Sequence, residues 1–474
     1  MSEQEQDLTY FFQGPASFSS MTAQAFLHFG YSHEEAGKAR WIFSVESEGV
    51  GYRAVLSHDG IPVGSGAFCR TRQDVSYFLL DQLSVVSGKP LGRWGYLLGM
   101  RPSKALYPFL ERDSWKDDIR AFLREEKTRA DVSSLLLEVA RCQRALPRNP
   151  RTVAFYIHIP FCPSHCAYCS FPSEILQSGP VLDAYTDALC ADIREAGRLL
   201  EKKGLWAESL YIGGGTPTIL TPDQMDRVLS AVRNYVPAKQ GMEKTVEAGR
   251  PDTIYPEMLD VLAGHGIKRI SLNPQTMQNH ILEKISRSHT AGDINRCMEL
   301  VRKYPFQSVN MDFICGLPEM TLSDMKENLE TVCQLCPENV TIHTLAIKRG
   351  SPFWGREREF SMPSESVVES MLAMANERLC GLGYHPYYLY RQKYMTDDFA
   401  NVGYAKDGHD CVYNIQMIGE KQHVIGVGAG AVSKAVLPGG HRLKKLYMPR
   451  QRALYISRCG SLCKAREELF ETIE

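Results

Sequence analysis

The chain has 474 residues, 44% of them hydrophobic and 23% charged, and its 54 Lys+Arg against 55 Asp+Glu leave a net charge of -1. That length exceeds what one ordinary hydrophobic core spans and points to two or three domains. The charge balance excludes a global field that would gather nucleic acid or anionic membrane, so any binding role has to be built from local pockets.

The first residues, MSEQEQDLTYFFQGPASFSS, have no basic region followed by an apolar run. No stretch of about 18 apolar residues occurs anywhere, so a cytoplasmic protein without a membrane span is expected. Fourteen cysteines in such a chain read as reduced thiols and metal ligands rather than as a disulfide framework. Residues 1–150 mix β-rich stretches between Trp41 and Gly60 with an amphipathic helical pattern from Lys104 to Gln143, whose charged runs form a solvated face. The Pro- and Arg-rich RALPRNPRT then reads as a linker, closing an α+β accessory domain at residue 150.

From Ala154 short β-branched runs alternate with helical segments. The runs are AFYIHI from 154, SLYIGG from 209, KTVEAG from 244, RISLNPQ from 269, SVNMDFICGLP from 308 and NVTIHTLAI from 339. A long helix is expected from Val181. Another is opened by Thr221, Pro222 and Gln224 as a capping box with proline at the first position, and a third opens at Thr321 to Asp324. Repeated strand–helix units imply parallel strands with right-handed crossovers, in an open doubly wound sheet or an incomplete barrel. Both arrangements put chemistry at the carboxyl ends of the strands. Those ends are His158, GGGT, EAGR, NPQ, DFICGLP and LAIKRG. From His385 the alternation stops, so residues 151–384 are expected as the core and residues 385–474 as a carboxyl-terminal cover.

Cys162, Cys166 and Cys169 form C-x3-C-x2-C directly after the first of these strands. Zinc would want a fourth ligand, which His165 could offer, whereas a cubane iron–sulfur cluster held by three thiolates keeps one iron open to a small molecule. Other features carry less. Cys333 and Cys336 fall at a helix end and read as buried thiols, GVGAG at 426–430 lacks the helix and acid of a dinucleotide site, and His343, His385 and His423 receive no role.

The motif series YIHIPFC, C-x3-C-x2-C, GGGTPT, TVEAGRP, NPQTM and DFICGLP resembles the radical S-adenosylmethionine enzymes, and within them the oxygen-independent coproporphyrinogen III oxidases. EAGRP, YLYRQKYM and the amino-terminal extension are similar to the HemZ-type branch, the coproporphyrinogen dehydrogenases. The resemblance spans roughly Phe155 to Lys434. It implies a partial (β/α)6 TIM-like barrel with the α+β amino-terminal domain and a carboxyl-terminal cover. It implies a 4Fe-4S cluster on Cys162, Cys166 and Cys169, with S-adenosylmethionine chelating the open iron. Tyr156, Tyr168, Gly214, Gly215, Thr216, Glu247, Gln275, Arg287, Asp312, Ala346 and Val432 match the family's cofactor-contacting positions, and Tyr156 and Glu247 are its expected catalytic pair. The implied reaction uses a 5'-deoxyadenosyl radical to decarboxylate propionates of coproporphyrinogen III, with an electron donor such as flavodoxin or ferredoxin. A substrate with four carboxylates calls for fixed cations, and Arg250, Lys348, Arg349, Arg391 and Lys393, near Tyr387, Tyr388 and Tyr390, are expected to supply them. Ser170 stands where the well-studied oxidases have a further cysteine, so a haem-binding chaperone or another tetrapyrrole-modifying protein is the alternative.

Overall fold

A computed structural model describes residues 8–146, 149–171, 173–175, 179–356, 359–392, 398–438 and 442–471. The chain divides into two compact units, Met1–Leu137 and Glu138–Glu474. In the first, β1 (Thr9–Gln13) lies between β2 (Ser32–His33) and β3 (Trp41–Glu48), followed by β4 (Gly51–His58), β5 (Ile61–Pro62) and β6 (Ala67–Cys69). Helices α1 (Ala16–His28) and α2 (Arg72–Ser87) supply Phe18, Phe26, Leu79 and Leu83 to a core that the sheet completes with Tyr10, Phe43 and Leu56. Helix α3 (Trp115–Glu125) follows, and the division runs through α4 (Ala130–Ala145), whose residues from Glu138 onward belong to the second unit.

The second unit is built on six parallel strands in chain order: β7 (Thr152–Ile159), β10 (Trp206–Gly214), β11 (Ala238–Glu247), β12 (Arg269–Ser271), β13 (Ser308–Cys315) and β14 (Asn339–Thr344). A two-residue pair, β8 (Phe161–Cys162) and β9 (Glu174–Ile175), brackets the cysteine loop. Between and after the six strands run α5 (Pro180–Lys203), α6 (Pro222–Tyr235), α7 (Pro256–Gly264), α8 (Asn279–Lys284), α9 (Ala291–Val301), α10 (Leu322–Leu335) and α11 (Glu365–Gly381). The expected helix starts are local in origin. Thr221 accepts from the Gln224 amide with Pro222 at the first position, and Thr321 and Asp324 cap each other reciprocally, each satisfying amides that the helix leaves unpaired. β7 is apolar on both faces because helices and sheet interior cover it, as parallel strands require.

The segment after residue 384, expected as a cover, contributes strands to the same sheet. β16 (Asn401–Ala405) pairs antiparallel with β14, and β15 (His385–Tyr390) pairs outside it. Helix α12 (Val412–Gly419) follows, then β17 (His423–Val427) pairs parallel with β7 on the opposite flank, and β18 (Val432–Val436) and β19 (Leu443–Tyr447) complete eleven strands. The reason is the edges: β7 and β14 would each present a row of unpaired amide groups, and the carboxyl-terminal strands satisfy both. Cys333 and Cys336, expected as buried thiols, are not buried. Cys336 is exposed, in a left-handed conformation at the end of α10, and Cys333 is half-buried.

The last helix, α13 (Arg452–Glu471), is tied in by a buried ion pair. Arg466, 1% exposed, lies 2.8 Å from Asp192 of α5 and donates to the carbonyl of Gly426 at 3.1 Å. Asp192 also accepts from the Gly428 amide and the Tyr455 hydroxyl, so one carboxylate fixes the glycine-rich turn after β17. No helix among the described residues is long and apolar enough to cross a membrane. Arg466→Met leaves Asp192 buried and unpaired, and denaturant unfolding should show a loss of about 3–5 kcal/mol. Arg466→Met combined with Asp192→Leu should recover most of it.

Candidate active site

β7 ends at Ile159, and the chain turns through Pro160 into the loop that carries the three cysteines. The Gly213–Thr216 turn after β10 is laced along it: Gly215 N donates to Ile159 O at 2.8 Å and Thr216 N to Phe161 O at 2.7 Å. The Thr216 hydroxyl reaches Cys162 Sγ at 3.6 Å. Glycine is required here for space. A Cβ on Gly215 would sit 2.4 Å from Phe161 O and 2.9 Å from Cys162 Sγ, and Gly214, at φ +116°, would meet His158 at 2.7 Å.

Two buried arginines hold the rest of the loop. Arg250, 3% exposed, donates to Ser164 Oγ at 2.8 Å, to Ser164 O at 2.7 Å and to Cys166 Sγ at 3.2 Å. Arg287 donates to Gly249 O at 3.0 Å and to the Tyr168 hydroxyl at 3.3 Å. Burial works against its charge, but the neighbouring Tyr168 and Cys166 outweigh it and hold its pKa above the ordinary value. Burial and then the Cys166 and Cys162 thiols push Cys169 up to about 11. The loop backbone is fixed by Ala167 N to Ile285 O at 3.0 Å and Phe353 N to Ala167 O at 3.2 Å.

Beside the turn, Glu247 at the end of β11 accepts from the Tyr211 hydroxyl at 2.7 Å and from Gly214 N at 3.2 Å. Burial and the nearby Asp312 push its carboxyl up to about 7 against those hydrogen bonds. Asp312 goes the other way. Burial alone would raise it, but His343, whose Nε2 lies 3.7 Å away, and Asn310, which donates to it at 2.8 Å, hold it below the usual carboxylate range. Gln275 is 6% exposed, sits at φ +69°, and its side-chain oxygen has no hydrogen-bond partner among the described residues. Tyr156, on β7 opposite Tyr211, stacks with Tyr413 of α12 at 6.0 Å, and Tyr211 stacks with the same ring at 4.3 Å.

The structure sets Cys162, Cys166, Cys169 and Tyr168 in the loop after β7, Gly214, Gly215 and Thr216 at the end of β10 against that loop, Glu247 at the end of β11, Arg287 on Tyr168, Tyr156 and Asp312 within β7 and β13, and Gln275 bridged to Phe313. Ala346 follows β14, and the Val432 backbone packs on Gly426, which is paired with Tyr156 across β17 and β7. Two of the cations expected for propionates have partners within the chain. Arg250 is committed to the cysteine loop because EAGR leaves β11 directly beneath it, and Arg391 is paired with Asp398. Lys348 is half-buried near Cys169, Arg349 is exposed, and Lys393 lies outside the described residues. Tyr211 was readable in SLYIGG, two residues before the glycines as Tyr156 is two before His158. Tyr413 had no sequence signal.

These residues fit a cluster better than a single ion. Three thiols converge beside two buried guanidiniums that offset thiolate charge. Among the described residues they are not a group whose ligand atoms all lie within 4.8 Å, as one tetrahedral ion needs. The buried, unpartnered Gln275 oxygen is an open acceptor of the kind a bound ammonium would satisfy.

Strands, helices and cysteine loop make an α/β radical SAM fold. Residues 156–332 match the Radical SAM superfamily. The oxygen-independent coproporphyrinogen-III oxidase-like protein HemZ of Bacillus subtilis (strain 168) is 34% identical over 417 residues, covering 85% of this chain and 83% of its own length. The heme chaperone HemW of Lactococcus lactis subsp. lactis (strain IL1403) is 31% identical over 58% of this chain and 68% of its own. Among solved structures, coproporphyrinogen III oxidase (HemN) from Escherichia coli, a radical SAM enzyme, superposes with a TM-score of 0.54 at 23% identity, over 68% of this chain and 72% of that one. The chain belongs to the HemZ family of the radical SAM superfamily, whose cofactors are a 4Fe-4S cluster and S-adenosylmethionine.

Two outcomes follow from the geometry. Arg250→Ala removes the donor to Cys166 and the loop clamp, and should weaken retention of iron about 10–100-fold, read as iron and sulfide per chain after anaerobic reconstitution. Glu247 keeps its proton to about pH 7 in the folded chain, whereas the unfolded carboxyl releases it near 4.5. The folded state then binds more protons across that window, so stability falls as pH rises through it. For the cofactor-free chain, denaturant unfolding between pH 5 and 8 should lose up to about 3 kcal/mol from this group, at about 1.4 kcal/mol per pKa unit, and Glu247→Gln should flatten the profile.

Proposed function

We propose that this protein decarboxylates coproporphyrinogen III without oxygen, converting two propionates to vinyl groups and yielding protoporphyrinogen IX. The observation that carries the reading is the convergence, at one end of six parallel strands, of the cysteine loop, the glycine cradle and the Glu247–Tyr211 pair. The relative that spans most of the chain is named for likeness to a coproporphyrinogen-III oxidase, which supports the substrate class.

When bound, the cluster and S-adenosylmethionine supply one-electron chemistry strong enough to take a hydrogen atom from a saturated carbon. The chain's own residues bind, orient and exclude water around that event. Cys162, Cys166 and Cys169 would ligate the cluster, with Arg250 and Arg287 offsetting its charge. Gly214, Gly215 and Thr216 let the turn lie close against the cysteine loop, while Gln275 and Asp312 offer acceptors to an ammonium or ribose hydroxyl. Glu247 stays protonated toward neutrality and so adds no second full negative charge beside Asp312. Tyr156, Tyr211 and Tyr413 wall the interior with flat apolar surface and keep water out.

Each propionate side chain loses one hydrogen atom, carbon dioxide and one electron to become a vinyl group. A one-electron donor such as flavodoxin or ferredoxin and a one-electron acceptor are partners in this reading. Among the described residues, Lys348 and Arg349, after β14, are the expected cations without an engagement like that of Arg250 with the cysteine loop or Arg391 with Asp398. The engagement of those two arginines favours a second reading, a haem-binding chaperone with the same cofactors, the role named for the HemW relatives. Anaerobic incubation with coproporphyrinogen III, S-adenosylmethionine and a reductant separates the two. Vinyl porphyrin with matching 5'-deoxyadenosine is the expected result, and stable haem binding without either product would replace the enzyme by the chaperone.

A further inference from the structure

Outside the cysteine loop, three residues remote in sequence meet. Cys142 lies on α4, His385 opens β15, and Asp410 lies in the loop ahead of α12. Their ligand atoms all lie within 4.8 Å of one another, with His385 Nε2 2.8 Å from Asp410 Oδ1. The other imidazole nitrogen, Nδ1, is 3.4 Å from the Asp407 carboxylate. Arg141, the neighbouring cation, is directed to Glu138 at 2.9 Å.

We propose that Cys142, His385 and Asp410 form a second metal site that binds one zinc-class divalent cation. The donor set argues for the class of ion: one soft thiolate, one imidazole and one carboxylate suit zinc, and not magnesium or calcium, which take oxygen shells. Zinc bonds of about 2.0–2.3 Å in a tetrahedron set neighbouring ligand atoms about 3.3–3.8 Å apart, within reach of small side-chain rotations here. Asp407, 99% exposed, stands 3.4 Å from the other ring nitrogen, where an outer carboxylate would select the tautomer that turns Nε2 to a metal. Cys142 is 1% exposed, while the side chains of His385 and Asp410 are 14% and 28% exposed, so an ion and a fourth ligand from solvent have a path in.

An ion here would cross-link α4, β15 and the loop leading into α12. That loop matters to the active site. Glu243 of β11 accepts from the amides of Val412 and Tyr413 at 3.0 and 3.1 Å, and Tyr413 is the ring stacked on Tyr211 and Tyr156. The site is thus a structural clip that sets the position of Tyr413, and it stands independently of the reaction proposed above.

The test uses the full chain with its iron–sulfur cluster reconstituted, so that the loop cysteines are occupied, then equilibrated with zinc chloride and freed of loose metal by gel filtration. Elemental analysis should find about one zinc per chain in addition to the iron, and zinc X-ray absorption should show one sulfur among nitrogen and oxygen neighbours. Cys142→Ser and His385→Gln should each lose the zinc while keeping iron content and visible absorption, which certify the fold. Asp407→Asn should keep the stoichiometry but weaken zinc about tenfold. If Cys142→Ser does not fold, Asp410→Asn read the same way decides the matter. Reconstituted wild type without zinc, zinc surrounded by sulfur alone, or zinc that survives the His385 or Asp410 substitution would each overturn the site.

Discussion

The structure depends on holding three thiols that must all ionise together in a partly buried loop. Thiolates crowded away from water are unstable unless cations stand beside them, and the burial that pushes the Cys169 thiol up to about 11 measures that difficulty. Arg250 and Arg287 answer it from two directions. Arg250 reaches Ser164 and Cys166 from the end of β11, and Arg287 binds Tyr168 and the carbonyl of Gly249. The same strand end carries Glu247, three residues earlier, toward the glycine turn. One short stretch, EAGR, therefore serves the cluster side and the cofactor side at once, and a shift of β11 would disturb both.

The two acids at the strand ends are driven apart by their surroundings. Asp312 has His343 and Asn310 and stays ionised, while Glu247 has burial and the Asp312 charge against it. Two carboxylates with different protonation states let a site accept an ammonium at one and donate or withhold a proton at the other. The tyrosines complete this arrangement: the Tyr211 hydroxyl binds Glu247, and its ring lies against Tyr413, so the polar rim and the aromatic interior are joined by one side chain.

Much of the fold was legible because it is written in local terms. The six parallel strands and their helices follow from apolar runs punctuated by glycine, proline and capping residues, and the reciprocal caps at Thr221 and Thr321 formed as their sequences indicate. The cysteine spacing and the GGGT turn were legible too, since a loop after a strand end needs only its own residues to be recognised. Arg250 was visible as a strand-end cation, but its partner was not. Whether a guanidinium meets a propionate or a cysteine loop depends on which neighbouring strand end lies within reach.

By itself the sequence determined the order of strands and helices, the cysteine loop, the glycine turn and the acids at the strand ends, because periodicity, capping and backbone freedom act over a few residues. Only the tertiary structure decided that β15 and β16 extend one edge of the sheet and β17, β18 and β19 the other, that Tyr413 stacks on Tyr156 and Tyr211, and that Cys142, His385 and Asp410 share one corner. Those contacts join residues hundreds of positions apart, and they are chosen by which sheet edges need partners and which interior space needs filling.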